Sequence, residues 1–147
     1  MVHFATHGFF HKTKPEQSGL VFSLVDEQGN SQNGFLRLDS IFNMQLNASL
    51  VVLSACQTGI GEEVPGEGML GLSRGFMYAG TPRLLMSLWS VDDKATAEFM
   101  TRFYRNLLED GLTAAAALKK TQREMREETK WSHPQYWAAF ILQGDWN

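Results

Sequence analysis

Apolar residues follow two different spacings along this chain, and the spacing predicts which segments form strands and which form helices. Residues 50–53 are apolar at every position, which is typical of a central parallel strand covered on both faces. Shorter apolar runs predict further strands at 2–5, 84–89 and 137–142. Residues 20–25 and 35–38 flank the polar, turn-rich stretch 26–33, which indicates a β-hairpin.

Helices are predicted where apolar residues recur every three or four positions, and capping residues predict their ends. Residues 69–79 form one such segment, ended by Gly80 with Pro82 beyond it. The next repeats Thr96, Phe99, Met100, Phe103, Leu107 and Leu108 and stops at Gly111. Thr113 is predicted to cap the last helix, whose inner face carries Ala114, Leu118, Gln122 and Met125. Asp39 is predicted to cap a short helix that carries Ile41, Phe42 and Leu46. Alternating strands and helices favour an α/β sheet flanked by helices.

Composition narrows the possible classes of function. The 147 residues suffice for one domain, and 44% of them are hydrophobic. The net charge is −3 without a long run of either sign, which argues against nucleic acid as a partner, and mixed charges at 123–130 indicate a solvated face. No apolar run is long enough to span a membrane. One cysteine without a signal peptide fits the reducing cytoplasm.

That cysteine, Cys56, is a candidate nucleophile. A lone cysteine is often an inert core residue. This one follows the predicted strand 50–53, however, and ligands bind at the carboxyl edge of open α/β sheets. His7 ends the predicted strand 2–5, directly before Gly8. If the two strands are parallel neighbours, the imidazole and the thiol emerge at the same edge, where the imidazole can promote the reactive thiolate.

Several segments together resemble one family. They are His3-Phe4-Ala5-Thr6-His7-Gly8, Leu53-Ser54-Ala55-Cys56-Gln57-Thr58-Gly59, Gly66-Glu67-Gly68, residues 87–93, His133-Pro134 and residues 136–140. In this order they resemble the CHAT peptidases, a caspase-like, largely bacterial family related to separases and often joined to tetratricopeptide repeats. The 49-residue separation of His7 and Cys56 also fits the spacing of about 50 in caspases.

The resemblance implies a caspase-like, mostly parallel sheet, with His7 and Cys56 catalytic. It implies hydrolysis of a protein substrate through a thioester without a cofactor or metal, and an oxyanion hole made by the backbone N–H groups of Gly8 and Cys56. The chain opens at the family's third strand. Residues 1–147 are therefore expected to be the C-terminal catalytic portion of a domain whose first strands are missing, in a longer protein with a regulatory tetratricopeptide-repeat segment. The bare edge is expected to make this fragment self-associate.

The resemblance also bears on the residue before the cleaved bond. Caspases carry an arginine after a tryptophan on the fifth strand, which helps to hold aspartate. Here Ser90 follows Trp89, so aspartate should not be favoured. Asp92 and Asp93 follow in a segment that resembles one in separases, which cut after arginine, and a carboxylate pairs well with a guanidinium. The alternative for either carboxylate is to cap the helix that begins near Lys94.

Three alternatives compete with the peptidase interpretation. His3, His7, His11 and Cys56 could bind zinc, but the histidine spacing shares one face only on a helix, and otherwise His3 is a core or flanking residue. Gly66, Gly68 and Gly71 with Asp92 fit a dinucleotide fingerprint, but they lie too far beyond the strand. Lastly, the chain could be a catalytically silent interaction module, which the presence of both His7 and Cys56 argues against. The missing strands leave the activity of the fragment itself open.

Overall fold

The computed structural model describes residues 1–11, 13–54 and 67–146, without the side chains of 67–69. In this part of the chain the main sheet contains four strands, β1 (Val2–Phe4), β5 (Val51–Leu53), β6 (Arg83–Ser87) and β7 (Phe140–Gly144), which lie side by side in that order. β1 pairs with β5 and β5 with β6 in parallel, whereas β7 runs antiparallel to β6. The sheet is therefore mostly parallel, as predicted, and the strands at 2–5 and 50–53 are parallel neighbours, which is the condition for a shared edge of His7 and Cys56.

Alternate residues of the central strands pack into two separate hydrophobic cores, one on each face of the sheet. Leu50, Val52 and Leu85 pack on one face, and Val51, Leu53, Leu84 and Met86 on the other. Since successive side chains of a strand point to opposite faces, a strand covered on both sides is apolar throughout. Val51, Val52 and Leu53 are fully buried, as the sequence predicts.

The first core lies beneath α3 (Asp93–Tyr104) and α4 (Ala114–Glu127). The rings of Phe99 on α3 and Phe140 on β7 stack in it, with centroids 3.9 Å apart. The side chain of Thr113 caps α4, as predicted, by accepting a hydrogen bond from the N–H of Ala116. Ala114, Leu118 and Met125 are buried on the predicted inner face of α4.

The second core lies beneath α1 (Leu38–Phe42) and α2 (Glu67–Tyr78). These helices pack closely because Gly75 has no side chain: a Cβ there would lie 2.8 Å from Leu38 Cδ1. Gly80, with a φ of 106°, follows α2 as predicted. The predicted cap of α1 is wrong. The helix begins after Arg37, so Asp39 lies in the first turn instead of preceding it.

The helical turn after α3 departs from the prediction. Arg105–Glu109 is a π-helical turn, closed by a hydrogen bond from the N–H of Asp110 to the carbonyl of Arg105. Its wider spacing rotates the following residues relative to a regular α-helix. As a result Asn106 is buried and Leu108 is 64% exposed, so the prediction that Leu108 continues the apolar face is wrong.

A second, antiparallel sheet lies beside the first. It has the order β2-β3-β4, from His7–Phe9, Gly19–Val21 and Phe35–Arg37. The pairing of β3 with β4 confirms the predicted hairpin. His7 begins β2 and does not end β1, so its predicted position at a strand end is wrong. The chain turns at Ala5 and Thr6, and the Thr6 hydroxyl donates to the carbonyl of Val21 on β3.

The last strand is shorter than predicted. Pro134–Tyr136 forms a 3-10 turn, and the N–H of Ala138 continues it by donating to the carbonyl of Pro134. β7 therefore starts at Phe140 and not at residue 137. No helix among the described residues is long and apolar enough to cross a lipid bilayer.

Candidate active site

A cavity of about 380 Å³ lies where the main sheet ends. Because β1 and β5 are parallel, the residues that follow them meet at one edge. The first turns of α3 close the other side. The described residues that line the cavity are His3, Ala5, Thr6, His7, Ser54, Asp93, Thr96, Ala97 and Met100.

His7 therefore lies in a cavity at the carboxyl edge of the sheet and is exposed to solvent. Gly8 lies next to it in β2, buried and opposite Leu20 of β3. A Cβ at Gly8 would make only ordinary contacts, the nearest of them 3.7 Å from the Phe10 ring. The packing of the described residues therefore does not itself demand a glycine at this position.

Cys56 lies outside the described residues, so the distance between its sulfur and the His7 ring stays a prediction. The described chain reaches Ser54, two positions before Cys56. Ser54 follows β5, lines the cavity and donates its backbone N–H to the carbonyl of Phe4 on β1. The hydrogen bonds between β1 and β5 thus continue as far as Ser54, two residues before Cys56.

A side-chain hydrogen bond joins the same two strand ends. His3 Nε2 lies 2.8 Å from the Ser54 hydroxyl oxygen, and the His3 ring lies 5.6 Å from the ring of Tyr104 on α3. Desolvation by these neighbours lowers the pKa of His3, although the residue keeps an exposed surface. Burial raises the pKa of Tyr104 to about 12, so its phenol stays neutral. The sequence predicts only a core or flanking position for His3, because the spacing of the histidines carries no signal for a partner 51 residues away.

The two aspartates before α3 have different places. Asp92 is the N-cap residue, and its Oδ1 accepts hydrogen bonds from the N–H groups of Lys94 (3.0 Å) and Ala95 (3.1 Å). Asp93 is the first residue of α3 and lines the cavity together with His7. Trp89 and Ser90 are exposed and are absent from the described lining, and the Trp89 indole N–H donates to the carbonyl of Gln135.

The three histidines that could bind zinc, His3, His7 and His11, do not lie on one helix. His3 and His7 belong to strands of different sheets, and His11 Nδ1 accepts a hydrogen bond from the N–H of Lys14. Among the described residues, no group of three or more His, Cys, Asp or Glu is arranged to hold a metal ion. Of the glycines in the possible dinucleotide fingerprint, Gly68 and Gly71 lie inside α2, and Gly66 is outside the described residues.

An α/β sheet flanked by helices, with a histidine-lined cavity at its carboxyl edge, is consistent with a caspase-like fold. The sequence profile of the CHAT domain matches residues 1–145, so the chain belongs to the CHAT domain family.

Two relatives of the chain are tetratricopeptide repeat proteins. The chain is 36% identical to human tetratricopeptide repeat protein 28 over 113 residues, which are 77% of this chain and 4% of that protein. It is also 36% identical to the mouse protein of the same name over 104 residues, 71% of this chain and 4% of the relative. The chain thus spans only a small part of these relatives. Both are mammalian, so they do not support the expected bacterial origin.

Proposed function

We propose that this domain is a cysteine endopeptidase that cleaves a protein substrate with His7 and Cys56. The observation that carries the proposal is the parallel pairing of β1 with β5, whose following residues share one cavity. That cavity contains His7, which follows β1, and Ser54, which precedes Cys56 by two positions. A nucleophile and its base need this proximity before the imidazole can activate the thiol.

The proposed reaction has two steps. His7 takes the thiol proton while the Cys56 sulfur attacks the scissile carbonyl carbon. As the tetrahedral intermediate collapses, the peptide C–N bond breaks and His7 gives the proton to the departing amine, which leaves a thioester. Water, deprotonated by His7, then attacks the thioester and releases the new carboxylate and the Cys56 thiol. The backbone N–H groups of Gly8 and Cys56 are proposed to stabilise the oxyanion in both steps.

Asp93 is the proposed specificity residue. It shares the cavity with His7, whereas the Oδ1 of Asp92 is occupied with the N–H groups of α3. A carboxylate in the cavity wall favours a substrate with arginine or lysine before the cut, and arginine most, because it can form two parallel hydrogen bonds. Trp89 and Ser90, which the sequence also suggests for this pocket, have less support because neither is in the described lining.

The setting of the domain in its whole protein is also proposed. The two relatives are named for tetratricopeptide repeats, which supports such a segment in the same protein as a regulatory partner. Residues 1–147 would be the catalytic portion of this larger protein. The cytoplasm is the proposed location, because its reducing environment keeps a free catalytic cysteine from oxidation.

The dyad is tested with Cys56→Ala and His7→Ala in the complete protein. The substrate is a library of peptides, each carrying a fluorophore that cleavage releases. We expect cleavage by the unchanged protein and its loss in both variants, with circular dichroism as the check on folding. His11→Ala is the matched histidine control, since His11 lies outside the described cavity lining, and it should keep full activity. An active Cys56→Ala protein would overturn the proposal.

A catalytically silent interaction module is the second candidate, favoured by relatives whose names refer only to repeats. Alkylation separates the two. In a peptidase, iodoacetamide should modify Cys56 fast at neutral pH, and His7→Ala should slow the modification, because thiolate is the reacting form. In a silent module, Cys56 should react as slowly as a free cysteine, with no effect of His7→Ala.

A further inference from the structure

A second cavity, of about 370 Å³, lies along α4 and is separate from the candidate active site. Six of its lining residues belong to α4, and the seventh is Trp137. Gln122 fixes the position of Trp137 relative to the helix: its side-chain amide donates to the backbone carbonyls of Trp137 and Phe140, at 3.5 and 3.0 Å. The Trp137 indole N–H donates to the carbonyl of Ser132, so hydrogen bonds hold both the backbone and the ring of Trp137. We name this cavity the α4 groove.

The α4 groove concentrates positive charge on a chain whose net charge is −3. Its described lining contains four cationic side chains and no carboxylate, and the four are Lys119, Lys120, Arg123 and Arg126. Lys119, Arg123 and Arg126 follow one another at four- and three-residue intervals, so they form one row along the helix.

Most of this charge is not neutralised by the protein. Among the described residues, Lys119 and Arg126 have no ion-pair partner. Arg123 lies 4.0 Å from Glu127, and both side chains are more than 60% exposed, so this pair contributes little. Only Lys120 has a close partner, with its Nζ 2.6 Å from Asp110 Oδ2. The groove therefore combines an aromatic wall with three cations available to a ligand.

We propose that the α4 groove binds an acidic polypeptide segment, in which Glu or Asp residues alternate with apolar ones. The carboxylates would pair with Lys119, Arg123 and Arg126, and an apolar side chain would lie on the Trp137 ring. Charge complementarity gives such a site its specificity and its rate of association. This proposal does not depend on the dyad, since none of the groove residues lines the cavity that contains His7.

A short acidic peptide fits the groove better than nucleic acid does. Carboxylates border the row of cations on the same helix, because Glu124 pairs with Arg105 at 2.7 Å and Glu127 lies beside Arg123. A phosphate backbone, charged at every unit, would have to pass these carboxylates, whereas a peptide in which acidic residues alternate with apolar ones can place its uncharged residues beside them. In addition, the Trp137 ring is only partly exposed, whereas nucleic-acid sites offer open rings for stacking.

The test measures binding of a labelled eight-residue peptide of alternating Glu and Leu to the whole chain by fluorescence anisotropy. The groove variant carries Lys119→Gln, Arg123→Gln and Arg126→Gln. Its matched control carries Lys14→Gln, Arg37→Gln and Arg74→Gln, which removes the same charge at exposed positions outside the groove. We expect the groove variant to bind on the order of tenfold more weakly and the control to bind as the unchanged chain does. Binding should also weaken as salt rises.

Each other outcome counts against the proposal. Equal binding by the groove variant and the unchanged chain would overturn it, and so would an equal loss in the control, which would indicate unspecific attraction. A peptide with Gln in place of Glu should not bind, and binding of that peptide would remove the charge argument. Tighter binding of a single-stranded oligonucleotide of equal charge, lost in the groove variant, would assign the groove to nucleic acid instead.

Discussion

The pair of His3 and Ser54 shows what single residues contribute to the candidate site. Their side chains join the carboxyl ends of β1 and β5 directly, 2.8 Å apart, and the N–H of Ser54 adds a backbone bond to Phe4. The pair therefore fixes the segments that lead to His7 and Cys56 relative to one another. The hydroxyl can accept from a ring N–H or donate to a bare ring nitrogen, but desolvation makes the stability of the pair depend on the charge of His3, because it favours the neutral ring.

This dependence predicts how stability changes with pH. The pKa of His3 is lowered in the folded state by desolvation, so the unfolded chain takes up the proton at the higher pH. Stability should be complete above the ordinary histidine pKa of about 6.5 and should fall as the pH drops through the lower, folded value. We expect the urea midpoint to decrease between pH 7.5 and 5.5, and to decrease less in His3→Gln, which cannot titrate.

A change in the partner of His3 separates the contribution of the hydrogen bond from the titration of the ring. Ser54→Ala removes the partner without removing the titrating ring. It should lower stability at pH 7.5 by about 1 kcal/mol, the usual net contribution of a hydrogen bond. Identical pH profiles for the unchanged chain and His3→Gln would contradict this account.

At the scale of elements, the sequence predicts those parts whose pattern is local. The strand 50–53, the hairpin and the caps at Gly80 and Thr113 follow from burial on both faces, turn residues and capping chemistry. The strand change after Thr6 does not, because it depends on a hydrogen bond to Val21, which lies far along the chain. The π-helical turn likewise has no local signal, and it moves Leu108 out of the predicted face. The candidate site could be predicted only to the same extent. The sequence indicates that His7 lies at the carboxyl edge of the sheet, but it indicates neither the strand to which His7 belongs nor the hydrogen-bond partner of His3.

The start of α3 predicts separate effects for its two aspartates. Asp92→Ala removes both capping hydrogen bonds and should lower stability by about 1 kcal/mol, whereas Asp92→Asn keeps a capping oxygen and should cost much less. Asp93→Asn should leave capping intact and reduce cleavage after arginine in the complete protein. Chemical denaturation measures the first effect, and a peptide library the second. Unchanged preference for arginine in Asp93→Asn would remove the proposed role of Asp93.

At the scale of the molecule, the faces of the main sheet are covered by helices, whereas its β1 edge is not paired with another described strand. The faces are covered by α1 with α2 and by α3 with α4. The candidate site lies where β1 and β5 end, and the α4 groove lies on the helical layer over one face. Within the described part of the chain, β1 pairs only with β5 and so forms one edge of the sheet. β1 contains His3 and leads to His7, so the surroundings of this edge bear on the proposed catalysis.

We expect the chain to self-associate through the β1 edge. The ladder to β5 uses the backbone groups of Val2 and Phe4, as shown by the bonds from Val2 N–H to Leu50 and from Ser54 N–H to Phe4. The N–H and C=O of His3 therefore face away from β5, and such an edge is a template for a further strand. Sedimentation velocity should show dimers or larger species as the concentration rises. Hydrogen exchange of the His3 amide should slow over the same range, because pairing would protect it. A monomer at every concentration, with unchanged exchange at His3, would mean that this edge does not pair.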